Sequence, residues 1–168
     1  MHTMWVRANA VLFYGLAVLS GICTLSWGST LFYQASPAID VLKINTVKRL
    51  TSHRGVDRAV VTLDTTCDLS SVFHWNVKQL FVFMTAEYQT DAFALNQVVI
   101  FDKIIQTPEE AEFSLTNEWN KYMLLDIGEE LRGRDVSLKL GWDVMPLFGP
   151  LEIQYGGEHN FTLPDAYG

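Results

Sequence analysis

Residues capable of chemistry are present in this 168-residue chain, but their spacing keeps them apart. His2, His53, His74 and His159 form no His-x-His or His-x-x-x-His pair, and the other cysteine, Cys23, lies inside the apolar N-terminal run and cannot easily meet Cys67, so neither metal-ligand spacing nor a disulfide is expected. Cys67 and His74 have the types of a thiol nucleophile and its base. Cys67, however, belongs to the apolar row of an alternating segment and reads as a buried structural thiol. Ser70 and Ser71 lie beside His74 without a Gly-x-Ser-x-Gly elbow or an orienting acid. Ser137 and Lys139 share the outward face of another alternating segment. A Ser–Lys dyad needs a desolvated lysine to accept the proton, and a solvated face does not supply one. Asp64 and Asp68, also on one face, read as two solvated carboxylates. No glycine-rich phosphate loop occurs. The expectation is a chain with no catalytic residues, no metal, no cofactor and no small-molecule substrate.

The elements that position these residues divide the chain in two. No residue between Arg7 and Asp40 is charged. A helix from Val11 to Leu31 would rise about 31 Å at ~1.5 Å per residue, which matches the hydrocarbon core of a bilayer. Trp5 and Arg7 flank one end of this run, and Trp27, Phe32 and Tyr33 cluster at the other, as in an aromatic belt. Residues 10–32 are therefore expected to be a transmembrane signal anchor, preceded by a short tail at 1–9 and followed by one domain at 33–168. A cleaved signal peptide is the alternative, because Ser26-Trp27-Gly28 places small residues at −3 and −1 after an apolar run. Ala17, Gly21, Thr24 and Gly28 recur at i, i+4, i+7 and i+11, giving one helical face on which another helix could pack closely; small residues are also common in membrane helices.

The charge count around the span favours neither orientation. Large C-terminal domains cross largely regardless of charge, and Asn160-Phe161-Thr162 is a glycosylation sequon usable only in the lumen. The expectation is a cytosolic N-terminus and a lumenal domain, with Asn160 as a glycosylation candidate.

All 19 acidic residues and 11 of the 12 basic ones lie at or after Asp40, so the domain is near −8 (11 − 19). Such a domain repels phosphate backbones and carries no polybasic lipid-binding patch, which argues against nucleic-acid binding. Val136, Leu138, Leu140, Trp142 and Val144 alternate with polar or small residues, as do Val61, Leu63, Thr65 and Cys67; period two marks half-buried strands. Gln79 to Tyr88 is apolar on both faces, so it is either central or meets a partner on its second face. Gln97 to Ile105 is similar, and Val41–Val47, Tyr122–Leu125, Glu152–Tyr155 and His159–Leu163 are weaker candidates. Turn residues punctuate them, including Phe148-Gly149-Pro150 and Gly156-Gly157. Glu109 to Glu112 reads as a solvated loop or one helical turn. Short strands without a long amphipathic helix predict an all-β domain, an antiparallel β-sandwich.

The run Phe73-His74-Trp75-Asn76-Val77-Lys78-Gln79-Leu80-Phe81, with Ala86-Glu87-Tyr88, Leu95-Asn96-Gln97-Val98-Val99 and Asp102-Lys103-Ile104, closely resembles the signal peptidase complex subunit 3 family. Arg7-Ala8-Asn9, the stretch from Gly141 to Pro146 and the ending from Leu163 to Tyr167 agree with that family's pattern, so the resemblance covers nearly the whole chain. It implies a single-pass type II protein of the endoplasmic reticulum membrane with a lumenal domain and no catalytic residues. The implied partners are a separate Sec11-type catalytic subunit and the other small membrane subunits of the complex. Many members carry a sequon where this chain has Asp135, so that site is missing and Asn160 is a candidate elsewhere. On this reading His74, Trp75, Asn76, Phe81 and Phe83 are candidates for partner docking, with His74 and Asn76 expected at the surface. The competing account puts the aromatic residues in the sandwich core. A secreted or anchored β-sandwich binding module and a self-sufficient enzyme are the other function classes, and neither accounts for the match over residues 73–104.

Overall fold

The computed structural model describes residues 3–168, so His2 lies outside the described residues. Helix α1 (Met4–Thr30) is a single 27-residue helix. It is long and apolar enough to cross a membrane, and none of its residues is buried against the rest of the chain. It starts at Met4, ahead of the expected Ala10, because the flanking residues Met4 to Asn9 contain no helix breaker.

Eight strands follow: β1 (Ala38–His53), β2 (Val56–Asp68), β3 (Val77–Tyr88), β4 (Asn96–Ile105), β5 (Glu112–Trp119), β6 (Leu124–Ile127), β7 (Asp135–Pro146) and β8 (Glu152–Thr162). They form two antiparallel sheets packed as a sandwich. In the first, β2 pairs with β1 on one side and with β5 and β6 on the other. The second has the order β4-β3-β7-β8. The inward rows are those the alternation marks: Ala59, Val61, Leu63 and Cys67 from β2, and Val136, Leu138, Leu140, Trp142 and Val144 from β7. Strand β3 contributes Leu80, Val82, Met84 and Ala86. Each large aliphatic side chain buried here stabilises the fold by roughly 1.5–3 kcal/mol.

Two elements differ from expectation, and the acidic stretch takes one of its two expected forms. Strand β8 runs unbroken through Gly156-Gly157, where two separate strands and a turn are expected. The register shifts opposite Lys139 and Leu140, and a side chain at 156 would collide with Ile39 and Trp142. The glycine therefore marks a bulge and a close approach, not a turn. Strand β5 has no counterpart in the sequence reading, since it is largely exposed and follows the acidic stretch. That stretch itself forms one helical turn at Pro108–Glu110.

Candidate docking surface

Strand β3 uses both of its apolar faces. With Leu80, Val82, Met84 and Ala86 turned into the core, period two sends Phe81 and Phe83 to the outside of the second sheet. The two rings stack at 5.8 Å, and Tyr155 of β8 meets Phe83 edge-on at 5.9 Å and 90°. Between these rings lies Gly141 of β7, paired with Phe83 on one side and Tyr155 on the other. In the neighbouring register row, Phe81 is flanked by Ile104 of β4 and Asp143 of β7, with Ile153 beyond. The Oδ1 atom of Asp143 is buried there with no hydrogen-bond partner.

Farther along the same face the chemistry becomes polar. Lys139 Nζ pairs with Glu87 Oε2 at 2.6 Å, and Ser137 Oγ donates to Glu158 Oε1 at 2.6 Å. The hydrogen bond to Glu87 holds the Lys139 ammonium above its ordinary range, so this lysine is a poor proton acceptor and the Ser137–Lys139 pair is not a dyad. Lys121, 2.7 Å from the Asp102 Oδ1, holds that carboxyl below its ordinary range. Burial pushes the Cys67 thiol up to about 12, and the side chain is 1% exposed. Asp64 accepts from the Asn117 amide and faces Lys43, while Asp68 accepts from the Ser70 amide; both carboxylates serve local structure. Among the described residues no group of three His, Cys, Asp or Glu side chains could hold a metal ion.

The apolar half of the face is the half nearest the helix. Its strands begin or end beside the connector from α1: the Tyr33 hydroxyl reaches the carbonyls of Ser71 at 3.0 Å and Phe73 at 3.3 Å, and its ring lies 4.8 Å from His74. The Ser36 amide donates to Ser71 Oγ at 3.2 Å. His74 is half-buried under Tyr33, and desolvation lowers its pKa, which favours the neutral ring. Trp75 projects outward and is 57% exposed. Asn76 departs from expectation: it is 1% exposed. Its Nδ2 donates to the Phe148 carbonyl at 2.7 Å, and its Oδ1 accepts from the Phe148 amide at 3.0 Å. A polar residue beside an apolar run is buried here because a neighbouring turn satisfies both ends of its amide. Phe73 packs partly buried against the core, whereas Phe81 and Phe83 do not fill it.

On the helix, Gly21 and Gly28 have open space where a side chain would stand, and the Thr24 hydroxyl donates back to the Ser20 carbonyl at 2.9 Å. Ala17 and Gly21 on that face are open, whereas Thr24 borders the turn at 147–150. Asn160 is exposed on the edge strand β8, opposite Ser137, and the Thr162 hydroxyl donates to Asp135 at 2.6 Å. Residues missing from the sequence reading are Gly141, Asp143, Ile153 and Tyr155. Their signal was the single glycine in the outward row Ser137-Lys139-Gly141-Asp143, which leaves room for a ring from each neighbouring strand.

Comparison with known proteins adds a family. A model described as signal peptidase subunit matches residues 1–166. The chain is 39% identical over 174 residues to signal peptidase complex subunit 3 of Drosophila melanogaster, covering 99% of this chain and 97% of that protein. It is 35% identical to the Homo sapiens protein of the same name, with the same coverage, and 30% identical over 167 residues to that of Dictyostelium discoideum.

Proposed function

The chain belongs to the signal peptidase subunit family, and on that premise we propose that it is a non-catalytic accessory subunit of a signal peptidase complex in the endoplasmic reticulum membrane. In this reading α1 is a type II signal anchor, residues 1–9 are cytosolic, and the sandwich stands in the lumen. The sandwich supports assembly of the complex and positions the Sec11-type catalytic subunit over the emerging signal peptide. The side chains with catalytic potential are engaged otherwise, which favours a supporting role over proteolysis by this chain.

The observation that carries the reading is the apolar half-face of the second sheet. Phe81, Phe83, Tyr155 and Ile153 stand outside the core around the unpartnered Asp143 oxygen. A partner that covers the rings would remove this apolar surface from water. His74 and Trp75 extend this surface toward the membrane; Asn76 acts beneath it by fixing the Phe148 turn. The small-residue face of α1 would receive a helix from another subunit.

Purification of the tagged full chain from mildly solubilised membranes tests this, with the catalytic subunit followed in the eluate. Phe83→Asp and Phe81→Asp should lose that subunit while the chain itself remains folded. Undiminished recovery with both variants would remove the face from consideration.

A further inference from the structure

The turn joining β7 to β8 lies in an uncharged stretch: no residue between Asp143 and Glu152 is charged. Its apolar side chains are turned out, with Leu147 55% exposed and Leu151 63% exposed. The turn also lies beside the helix, not above it. Residues 147–150 form a groove with Cys23, Thr24 and Trp27, and a side chain at Gly149 would run into the Trp27 indole. Counted from Thr30 at ~1.5 Å per residue, those helical levels are roughly 5 to 10 Å below the end of α1.

We propose that residues 146–151 form a second membrane contact, seated at the boundary between headgroups and acyl chains beside the helix. This rests on the reading of α1 as a membrane span. A bilayer that encloses the helix to its end also encloses the level at which the turn lies. The depth is that of interfacial segments, whose apolar faces sink about 5–10 Å. Trp75, exposed on the same end of the sandwich, has the amphipathic ring favoured at that level.

The backbone of the turn is prepared for such a place. Irregular backbone is costly in a water-poor layer unless its polar groups are satisfied within the protein. Pro146 and Pro150 have no N–H. The Leu147 amide donates to the Asn76 carbonyl at 2.7 Å, and both polar groups of Phe148 are met by the Asn76 side chain. One buried asparagine thus satisfies the amides of Leu147 and Phe148 and the carbonyl of Phe148 without water. The occupant of this surface is lipid, because the turn is uncharged, its leucines are exposed, and it lies beside a level of α1 that the proposed span places inside the bilayer.

The full chain in phosphatidylcholine vesicles, with or without bromine on the acyl chains, tests this. A polarity-sensitive fluorophore is placed at Leu151→Cys or Leu147→Cys in a Cys23→Ser background; Cys67, being buried, stays unlabelled while the sandwich is folded. Leu19→Cys in the helix and Asp91→Cys at the far end of the sandwich are the comparison sites. Labels at 151 and 147 should lose emission on brominated lipid, as should the label at 19, while the label at 91 keeps it. Loss at 19 with none at 147 or 151 overturns the proposal and leaves the span intact. No loss at 19, 147 or 151 overturns both.

Discussion

Gly141 lies beneath Phe83: a Cβ added at 141 would stand 2.6 Å from Cζ of that ring and 3.0 Å from Cδ1 of Tyr155. The glycine is what allows both rings to lie against the sheet. Alanine there must tip them outward. The crowding, about 1–3 kcal/mol for overpacking, is offset in part by the roughly 0.5–1 kcal/mol that glycine costs a strand. Gly141→Ala should therefore lower stability by only about 1 kcal/mol, read as a small drop in thermal midpoint. It should reduce recovery of the catalytic subunit far more than that loss would explain.

Asn76→Ala should loosen the β7–β8 turn selectively. It leaves the Phe148 amide and carbonyl without their partner, a loss of about 1–3 kcal/mol. The bond from the Leu147 amide to the Asn76 backbone carbonyl does not depend on the side chain. Hydrogen exchange should accelerate at Phe148 and change little at Leu147. Equal acceleration at both would show that the clamp is not a side-chain property.

The Glu87–Lys139 pair predicts a two-sided pH dependence. The hydrogen bond from Lys139 holds the Glu87 carboxyl below its ordinary 4.5, so its stabilising contribution is complete above 4.5 and is lost as the pH falls through the lowered folded value. Lys139 is held above 10.5, so its contribution is complete below 10.5 and is lost as the pH rises through the raised value. Glu87→Gln should flatten the thermal midpoint on both limbs. The acid limb will not vanish, because Asp64, Asp68 and Asp102 are also held below their ordinary range by hydrogen bonds.

Cys67 should resist alkylation at neutral pH as long as the sandwich is folded, because burial both hides the sulfur and raises its pKa to about 12. Mass spectrometry after maleimide treatment should find Cys67 modified only in denaturant. Modification under native conditions would mean the β2 row opens readily.

Asn160 reports orientation. If the sandwich is lumenal, chain made in microsomes should carry a glycan removed by glycosidase, and Asn160→Gln should migrate like the deglycosylated form. The same mobility for both untreated chains would leave the sequon unused and remove this support for the proposed orientation.

The strands with one buried face were legible because burial on one side imprints period two: β2 and β7 follow their alternation except at Thr62 and Gly141, which are buried as well. The membrane-like helix was legible because nothing charged follows Arg7 within it. Strand β3 was legible as a strand but not as a surface, since a segment apolar on both faces does not say which face is inner. Strand β5 was hidden because an exposed edge segment needs little apolar content. Asn76 was misread for a related reason: burial of a polar side chain depends on a turn 72 residues away, which no local pattern encodes. Gly156 illustrates the converse, a residue that usually signals chain reversal serving here to let Ile39 and Trp142 close in.

The connector pinned by Tyr33 and Ser36 has a mechanical consequence. Anchored to the 71–73 turn by side-chain and backbone bonds, it resists acting as a swivel. Any lean of the rod within its bilayer is then passed upward to the whole head. Because a rod longer than the local hydrocarbon thickness responds by leaning, the proposed span would make the attitude of the aromatic face depend on how thick the bilayer is.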